Sequence, residues 1–77
     1  MVQAYVLIEV DVGRACDVLR EIEGRPGITL CSVVTGPFDI IAFVTASDVD
    51  ALGQLVERSV RAVKGVTRTI TCPVFRI

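Results

Sequence analysis

Apolar and other residues alternate over the first ten positions of the chain, the pattern of a β-strand with one buried face. Between positions 2 and 10 every even-numbered residue is apolar, and the odd-numbered residues form a second face. That second face is not simply polar, because Tyr5 and Leu7 occupy its middle. Apolar residues on both sides of a strand predict a central place in a sheet.

An amphipathic helix is expected to follow this strand, and the same order of elements then recurs in the second half of the chain. The first helix is predicted to begin after Asp11, its N-cap, and to end at 24–27, where Gly and Pro residues stop it. The second is predicted over 48–64, with Ser47 and Asp50 as a capping box. The apolar stripe of the second helix consists of Val49, Leu52, Val56, Val60 and Val63.

Three further strands are predicted, at positions 28–35, 38–45 and 66–75. The strand at 38–45 is apolar on both faces, whereas the last strand carries a row of threonines and Pro73, which favours an edge position. A β-α-β-β-α-β order in so short a chain predicts an α+β, ferredoxin-like fold. Its antiparallel sheet of four strands has both helices on one face and the first and third strands at the centre.

The face of the sheet that the helices leave bare is predicted to carry an apolar patch. This patch contains Tyr5, Leu7, Ile41 and Phe43, all on the two central strands. Contiguous patches of this kind usually mark interfaces. A second copy stacked sheet to sheet, as in a dimeric α+β barrel, would bury the four side chains. The alternative is that the four side chains are individually exposed on a surface that has no binding partner.

The composition also indicates an oligomer and excludes several classes of function. Of the 77 residues, which we expect to form a single domain, 52% are hydrophobic, an excess that an oligomer interface would bury. The basic residues are scattered, which argues against direct nucleic acid binding. We find no apolar run that approaches the roughly 18 residues of a membrane span and no secretory signal. Three cysteines without a disulfide pattern suit a cytoplasmic protein.

The residue types that catalysis and metal binding usually need are scarce. The chain contains no histidine, the commonest metal ligand and general base at neutral pH. Cys16, Cys31 and Cys72 form no C-x-x-C pair and are most simply small buried apolar residues. The carboxylates have the positions of helix caps or solvated helix surfaces. We therefore expect no enzyme, no metal and no cofactor.

One turn retains the chemistry of a ligand site, Gly36-Pro37-Phe38-Asp39 between the second and third strands. Gly36 lets a ligand approach the backbone, Phe38 offers an apolar wall, and Asp39 can hold an ammonium group by a charge-assisted hydrogen bond. The alternative is a tight turn in which Asp39 caps free backbone amides. Local chemistry favours neither interpretation.

The chain resembles the effector domain of Lrp/AsnC transcription regulators, also called the regulation-of-amino-acid-metabolism (RAM) domain. The resemblance rests on the segment 35–41, the helix from Asp48, and the segment 64–71. Its most specific part is a G-x-[YF]-D turn followed later by G-V-x-x-T-x-T. It covers the chain from Tyr5 to Phe75.

The resemblance implies sheet-to-sheet dimers that assemble into octamer or decamer rings. It also implies a small effector, typically an amino acid, in a cleft between dimers. Gly36, Phe38 and Asp39 match the effector loop, with Pro37 between them, and Val49 matches a position that lines the cleft. The regulators carry an N-terminal helix-turn-helix domain, whereas this chain begins on the first effector-domain strand. We therefore expect a stand-alone effector domain over residues 1–77.

The expected function is a non-catalytic module that binds an amino acid and oligomerises, linked to transcriptional regulation. Full-length Lrp/AsnC regulators are candidate partners, through co-assembly or through competition for effector. Two alternatives stay open. One is a small enzyme on the same dimeric α+β barrel scaffold, and the other is a purely structural oligomerisation protein whose pocket stays empty.

Overall fold

The first strand is a central strand of a four-stranded antiparallel sheet in the computed structural model, which describes residues 1–75. The strands are β1 (Val2–Val10), β2 (Ile28–Val33), β3 (Ile40–Ala46) and β4 (Val66–Pro73). Their order across the sheet is β2-β3-β1-β4, and each neighbouring pair is antiparallel. The predicted ferredoxin-like α+β fold, with β1 and β3 at the centre, is confirmed.

Two helices cover one face of this sheet, α1 (Ala15–Ile22) and α2 (Val49–Leu55). A π-helical segment, Val56–Arg61, continues α2 and contacts β4. The core between the two layers consists of Ala4, Val6, Ile8, Val10, Val18, Ile22, Ile40, Ala42, Val44, Leu52, Val56, Val60 and Val63. Across residues 1–75, neither helix has the length and apolarity needed to cross a membrane.

The helix caps differ from the sequence prediction at both helices. Asp11 does not cap α1, because the capping position is occupied by Arg14. At α2 the cap is Asp48 rather than Ser47, since the Asp48 carboxylate accepts the Ala51 N–H at 2.8 Å. Asp and Ser are comparably good N-caps, so the side chain nearer the first helical turn takes the position. The predicted box at Ser47 is therefore wrong by one residue.

Several predicted elements are longer than those observed. β2 ends at Val33, β3 begins at Ile40 and β4 ends at Pro73, each two residues inside its predicted limit. The predicted core stripe of the second helix includes Val49, but this side chain is 70% exposed. The reason is its place in the first turn of α2, directly after the end of β3, where the helix has only reached the rim of the sheet.

The face opposite the helices, which we call the open face, carries the predicted apolar patch on β1 and β3. Tyr5 pairs with Phe43, and Leu7 pairs with Ile41. The rings of Tyr5 and Phe43 lie 4.8 Å apart between centroids. Tyr5 remains 49% exposed, and the other three side chains are half-buried. The four predicted residues therefore form one contiguous surface.

Both edge strands extend the open face. Leu30 on β2 pairs with Phe43, and Ile70 on β4 pairs with Leu7. Leu30 is 67% exposed and Ile70 is 37% exposed. The sequence analysis did not assign these two residues to the patch. The β2 sequence has no clean alternation, and the alternation in β4, with threonines on one face and Ile70 on the other, does not show which face the helices cover. The apolar surface thus spans all four strands, and a single subunit leaves it in contact with water.

A glycine with positive φ fixes the start of each edge strand. Gly27 before β2 has φ 86°, and Gly65 before β4 has φ 103°, conformations that other residues rarely adopt. The Gly27 carbonyl accepts the Thr45 N–H at 2.9 Å, and the Gly65 carbonyl accepts the Asp11 N–H at 2.8 Å. The two halves of the chain therefore join their edge strands to the central strands in the same way.

Gly27→Ala is expected to lower the free energy of unfolding by about 2–4 kcal/mol, from left-handed strain and overpacking together. A Cβ at position 27 would clash with the Leu55 side chain and lie 3.1 Å from the Thr45 carbonyl oxygen. Gly24→Ala is the matched control: φ is 84°, but nothing lies within 4 Å, so strain alone should cost about 1–2 kcal/mol. Urea unfolding measures both variants. Equal losses would contradict a packing role for Gly27.

Candidate functional site

The predicted effector loop, Gly36 to Asp39, is tied to both of its neighbouring strands. Gly36 has φ 146°, in the region that favours glycine. At the other end of the loop, the Asp39 N–H donates to the Ile8 carbonyl at 2.9 Å, and the Asp39 carbonyl accepts the Val34 N–H at 2.8 Å. The backbone of Asp39 is therefore held between β1 and the end of β2, and its side chain has a defined direction.

The Asp39 carboxylate binds the end of β1. Its Oδ2 accepts the Val10 N–H at 2.9 Å. The pairing of β3 with β1 ends at Ile40 and Ile8, so the carboxylate takes the place of the next strand partner for a backbone donor that would otherwise be unpaired. This is the amide-capping role considered from the sequence. Among residues 1–75 no hydrogen bond is made to the other carboxylate oxygen, Oδ1.

Phe38 contacts an arginine that the sequence analysis did not include in the site. The guanidinium carbon of Arg68 lies 5.3 Å from the centroid of the Phe38 ring, within the range of a cation–π interaction. Arg68 pairs with Glu9 across β1 and β4, so it lies at the same end of the sheet as Asp39. Its position within the G-V-x-x-T-x-T segment marked it as part of β4, but no local pattern showed its contact with Phe38.

Val49, the remaining predicted effector residue, lies at the opposite end of the sheet. The effector loop ends where β3 begins, and Val49 follows the end of β3. A strand of seven residues spans roughly 20 Å. Val49 borders a shallow surface groove of about 540 Å³ along α2, which Gly53 and Arg58 also line. One subunit therefore does not bring Val49 and Asp39 together.

The cysteines do not form a reactive or metal-binding cluster. Cys16 and Cys72 are exposed, which corrects the expectation that all three are buried. Cys16 lies on the solvent side of α1, and Cys72 lies on the open face of β4, where it pairs with Tyr5. Burial raises the pKa of the partly buried Cys31 thiol, and the charge of Glu23 adds to the effect, so the reactive thiolate is disfavoured. Within residues 1–75, no group of three or more His, Cys, Asp or Glu side chains could hold a metal ion.

Comparison with known protein families matches residues 3–77 to the Lrp/AsnC ligand binding domain. The uncharacterized HTH-type transcriptional regulator PF0250 of Pyrococcus furiosus is 32% identical over 75 residues, which cover 94% of this chain and 50% of the regulator. Homocitrate synthase of Sulfurisphaera tokodaii is 37% identical over 59 residues, which cover 77% of this chain and 13% of the enzyme. The chain thus spans half or less of the length of these curated relatives.

Solved structures share this fold over nearly the whole chain. TTHA0845 from Thermus thermophilus superposes with a TM-score of 0.93 and 34% identity, covering 100% of this chain and 96% of that one. The transcriptional regulator NMB0573 from Neisseria meningitidis, solved as an L-Met complex, gives a TM-score of 0.85 at 18% identity, covering 97% of this chain and 50% of the regulator. At that lower identity the likeness concerns the fold alone.

Asp39→Ala is expected to lower the free energy of unfolding by about 1–2 kcal/mol, because the Val10 N–H loses its acceptor. Asp39→Asn should retain most of that free energy, since the amide oxygen can still accept this hydrogen bond while the charge is lost. Urea unfolding of the two variants beside the wild type measures the difference. If the Ala and Asn variants are equally stable, the hydrogen bond seen at Oδ2 does not contribute to stability.

Proposed function

Because the chain belongs to the Lrp/AsnC ligand-binding domain family, we propose that it is a non-catalytic, cytoplasmic module that binds an amino acid and oligomerises in the service of transcriptional regulation. The observation that carries this proposal is the apolar open face, which a single subunit leaves in water. Two similar proteins support a role in amino acid binding and transcriptional regulation: an HTH-type transcriptional regulator and a regulator of the same fold solved in complex with L-Met.

The open face is proposed as a dimer interface. Stacking the sheets of two copies would bury Tyr5, Leu7, Ile41 and Phe43 and remove apolar surface from water, which is the main favourable term in association. Leu30 and Ile70 would widen the contact across both edge strands. A two-fold arrangement is natural here, because the same patch on each copy faces its equivalent.

The effector site is proposed to lie between dimers. Asp39 and Val49 lie at opposite ends of one sheet, so a site containing both needs the effector loop of one subunit and the α2 terminus of another. An octamer or decamer ring of dimers would supply that arrangement repeatedly. Ligand bound across two subunits would stabilise the assembled form, which couples amino acid concentration to assembly.

Within that site the Oδ1 of Asp39, which accepts no hydrogen bond from residues 1–75, is proposed to accept one from the ligand's ammonium group. Backbone amides near Gly36 would meet its carboxylate, while Pro37, Phe38 and Val49 would contact its side chain. Full-length Lrp/AsnC regulators are proposed partners, by co-assembly or by competition for effector.

An enzyme on this scaffold has less support. The match to homocitrate synthase covers 13% of that enzyme, too small a share to carry its catalytic activity to this chain. The absence of histidine from the sequence also removes the commonest general base. A purely structural protein would share the assembly proposed here, and it differs only in binding no amino acid.

Leu7→Arg is expected to dissociate the assembly, because it places a charge in the middle of the proposed dimer interface. Its mass by native mass spectrometry should shift to that of one subunit, 8.3 kDa, with an unchanged helix signal in circular dichroism. Val12→Arg is the control, since Val12 is fully exposed in the loop after β1 and should leave the mass at the wild-type value. Wild-type assembly of the Leu7→Arg variant would refute the interface.

At least one common amino acid is expected to raise the thermal unfolding midpoint of the wild type, because ligand bound to the folded state stabilises it. Asp39→Asn should weaken that amino acid's affinity by about 10-fold or more, since a charge-assisted hydrogen bond becomes neutral. Asp17→Asn, an exposed change on α1, is the matched control and should bind as the wild type does. Thermal shift followed by calorimetry measures these effects. A wild type that no amino acid stabilises, or full affinity in the Asp39→Asn variant, would contradict the site.

A further inference from the structure

Arg68 lies where the open face changes from apolar to charged. Toward the middle of the sheet its neighbours on this face are Leu7 and Ile70, which pair with each other. At Arg68 itself the strand partner is Glu9. Because β1 separates β4 from β3, the Arg68 side chain must cross the end of β1 to reach the Phe38 ring. The 5.3 Å separation therefore fixes the guanidinium beside the effector loop.

Among the residues that the structure describes, the guanidinium of Arg68 donates no hydrogen bond. The carboxylate of its strand partner Glu9 accepts a hydrogen bond from the Thr67 hydroxyl, with Oε1 and Oγ1 3.3 Å apart. Among residues 1–75, no carboxylate oxygen lies within 4.0 Å of an Arg68 nitrogen. A guanidinium carries five N–H donors in a planar fork that matches a carboxylate. A cation–π contact uses the positive charge but leaves these donors for a second partner.

Other arginines of this chain are used differently. Arg14, Arg20, Arg25 and Arg61 each lie within 4.0 Å of a carboxylate three or four residues away, at separations from 2.7 to 3.8 Å. Those are local ion pairs on solvent-facing sides or at ends of the helical segments, and such pairs contribute little to stability. Arg68 instead lies against an aromatic residue of the predicted ligand loop, and its paired neighbour Glu9 forms no ion pair with it in the described part of the chain.

We infer that Arg68 binds the carboxylate of the ligand, so that the site selects zwitterions. Asp39 on one side of Phe38 would accept the ammonium group, and Arg68 on the other side would donate to the carboxylate alongside the amides near Gly36. An α-amino acid satisfies both charges, whereas an amine or an α-amide leaves the guanidinium without its anion. This assignment rests on the proposed function, because it takes the effector loop as the ligand site.

Isothermal titration of the wild type and of Arg68→Gln, each with an amino acid and with its α-amide, tests the inference. L-methionine and L-methioninamide are the first pair, followed by the pair for any amino acid that a thermal-shift screen ranks higher. Arg68→Gln should weaken amino acid binding by about 10- to 100-fold, because a charged, bidentate contact is lost. Its affinity for the amide should change by less than about threefold.

Two further variants test whether the charge of Arg68 or its effect on the shape of the loop determines ligand affinity. Arg68→Lys keeps the charge without the planar fork and should lose about 3- to 10-fold in amino acid affinity. Glu9→Gln removes the neighbouring carboxylate and should not weaken binding. Arg68→Ala, expected to behave as the Gln variant, keeps the test available if that variant does not fold.

Equal losses for the acid and the amide would overturn the inference, since Arg68 would then act through the shape of the loop. An unchanged affinity of Arg68→Gln for the amino acid would overturn it as well. Both results leave the proposed function standing, because the wild type still binds. If the wild type binds no amino acid, the proposed function and this inference fail together.

Discussion

Two helices cover only one face of this sheet, so the apolar side chains on the other face are not buried within the subunit, and their burial would be favourable. On the covered side, Ile8 and Ile40 are fully buried. On the open side of the same two strands, Tyr5 is still 49% exposed and lies against the tilted ring of Phe43. The central strands thus have apolar side chains on both faces, and the helices of one subunit bury only one of these faces. The proposed dimer, ring and ligand cleft between dimers all depend on a second copy burying the open face.

The predicted effector loop lies at the end of the same central strands that carry the open face. Asp39 holds the end of β1 through Oδ2, and the proposed function assigns its Oδ1 to the ligand, so that one carboxylate would serve both stability and binding. The Asp39 backbone is bonded to both neighbouring strands and Phe38 is in contact with Arg68, so contacts within one subunit hold the loop in place. Preorganisation of this kind reduces the entropy that binding must otherwise overcome.

The spacing of apolar residues along the sequence predicts those features of the structure that are determined within a single strand or helix. The limits of β1, the strand order and most of the core follow from alternation and helical spacing. The errors have physical reasons: Ser47 and Asp48 are equally plausible caps, and the strand that contains Leu30 does not show which side faces the helices. The contact of Arg68 with Phe38 joins two elements that only the folded sheet brings together, so no local pattern reveals it.

The most direct test of the open face is the solvent exposure of Tyr5, the single tyrosine in a chain without tryptophan. Its fluorescence reports on this face alone, and acrylamide quenching measures how far water and solutes reach it. If a second copy covers the face, quenching is weak at concentrations where the protein is assembled and becomes stronger as dilution separates the subunits. Strong quenching at every concentration, with a particle mass of 8.3 kDa throughout, would contradict the account.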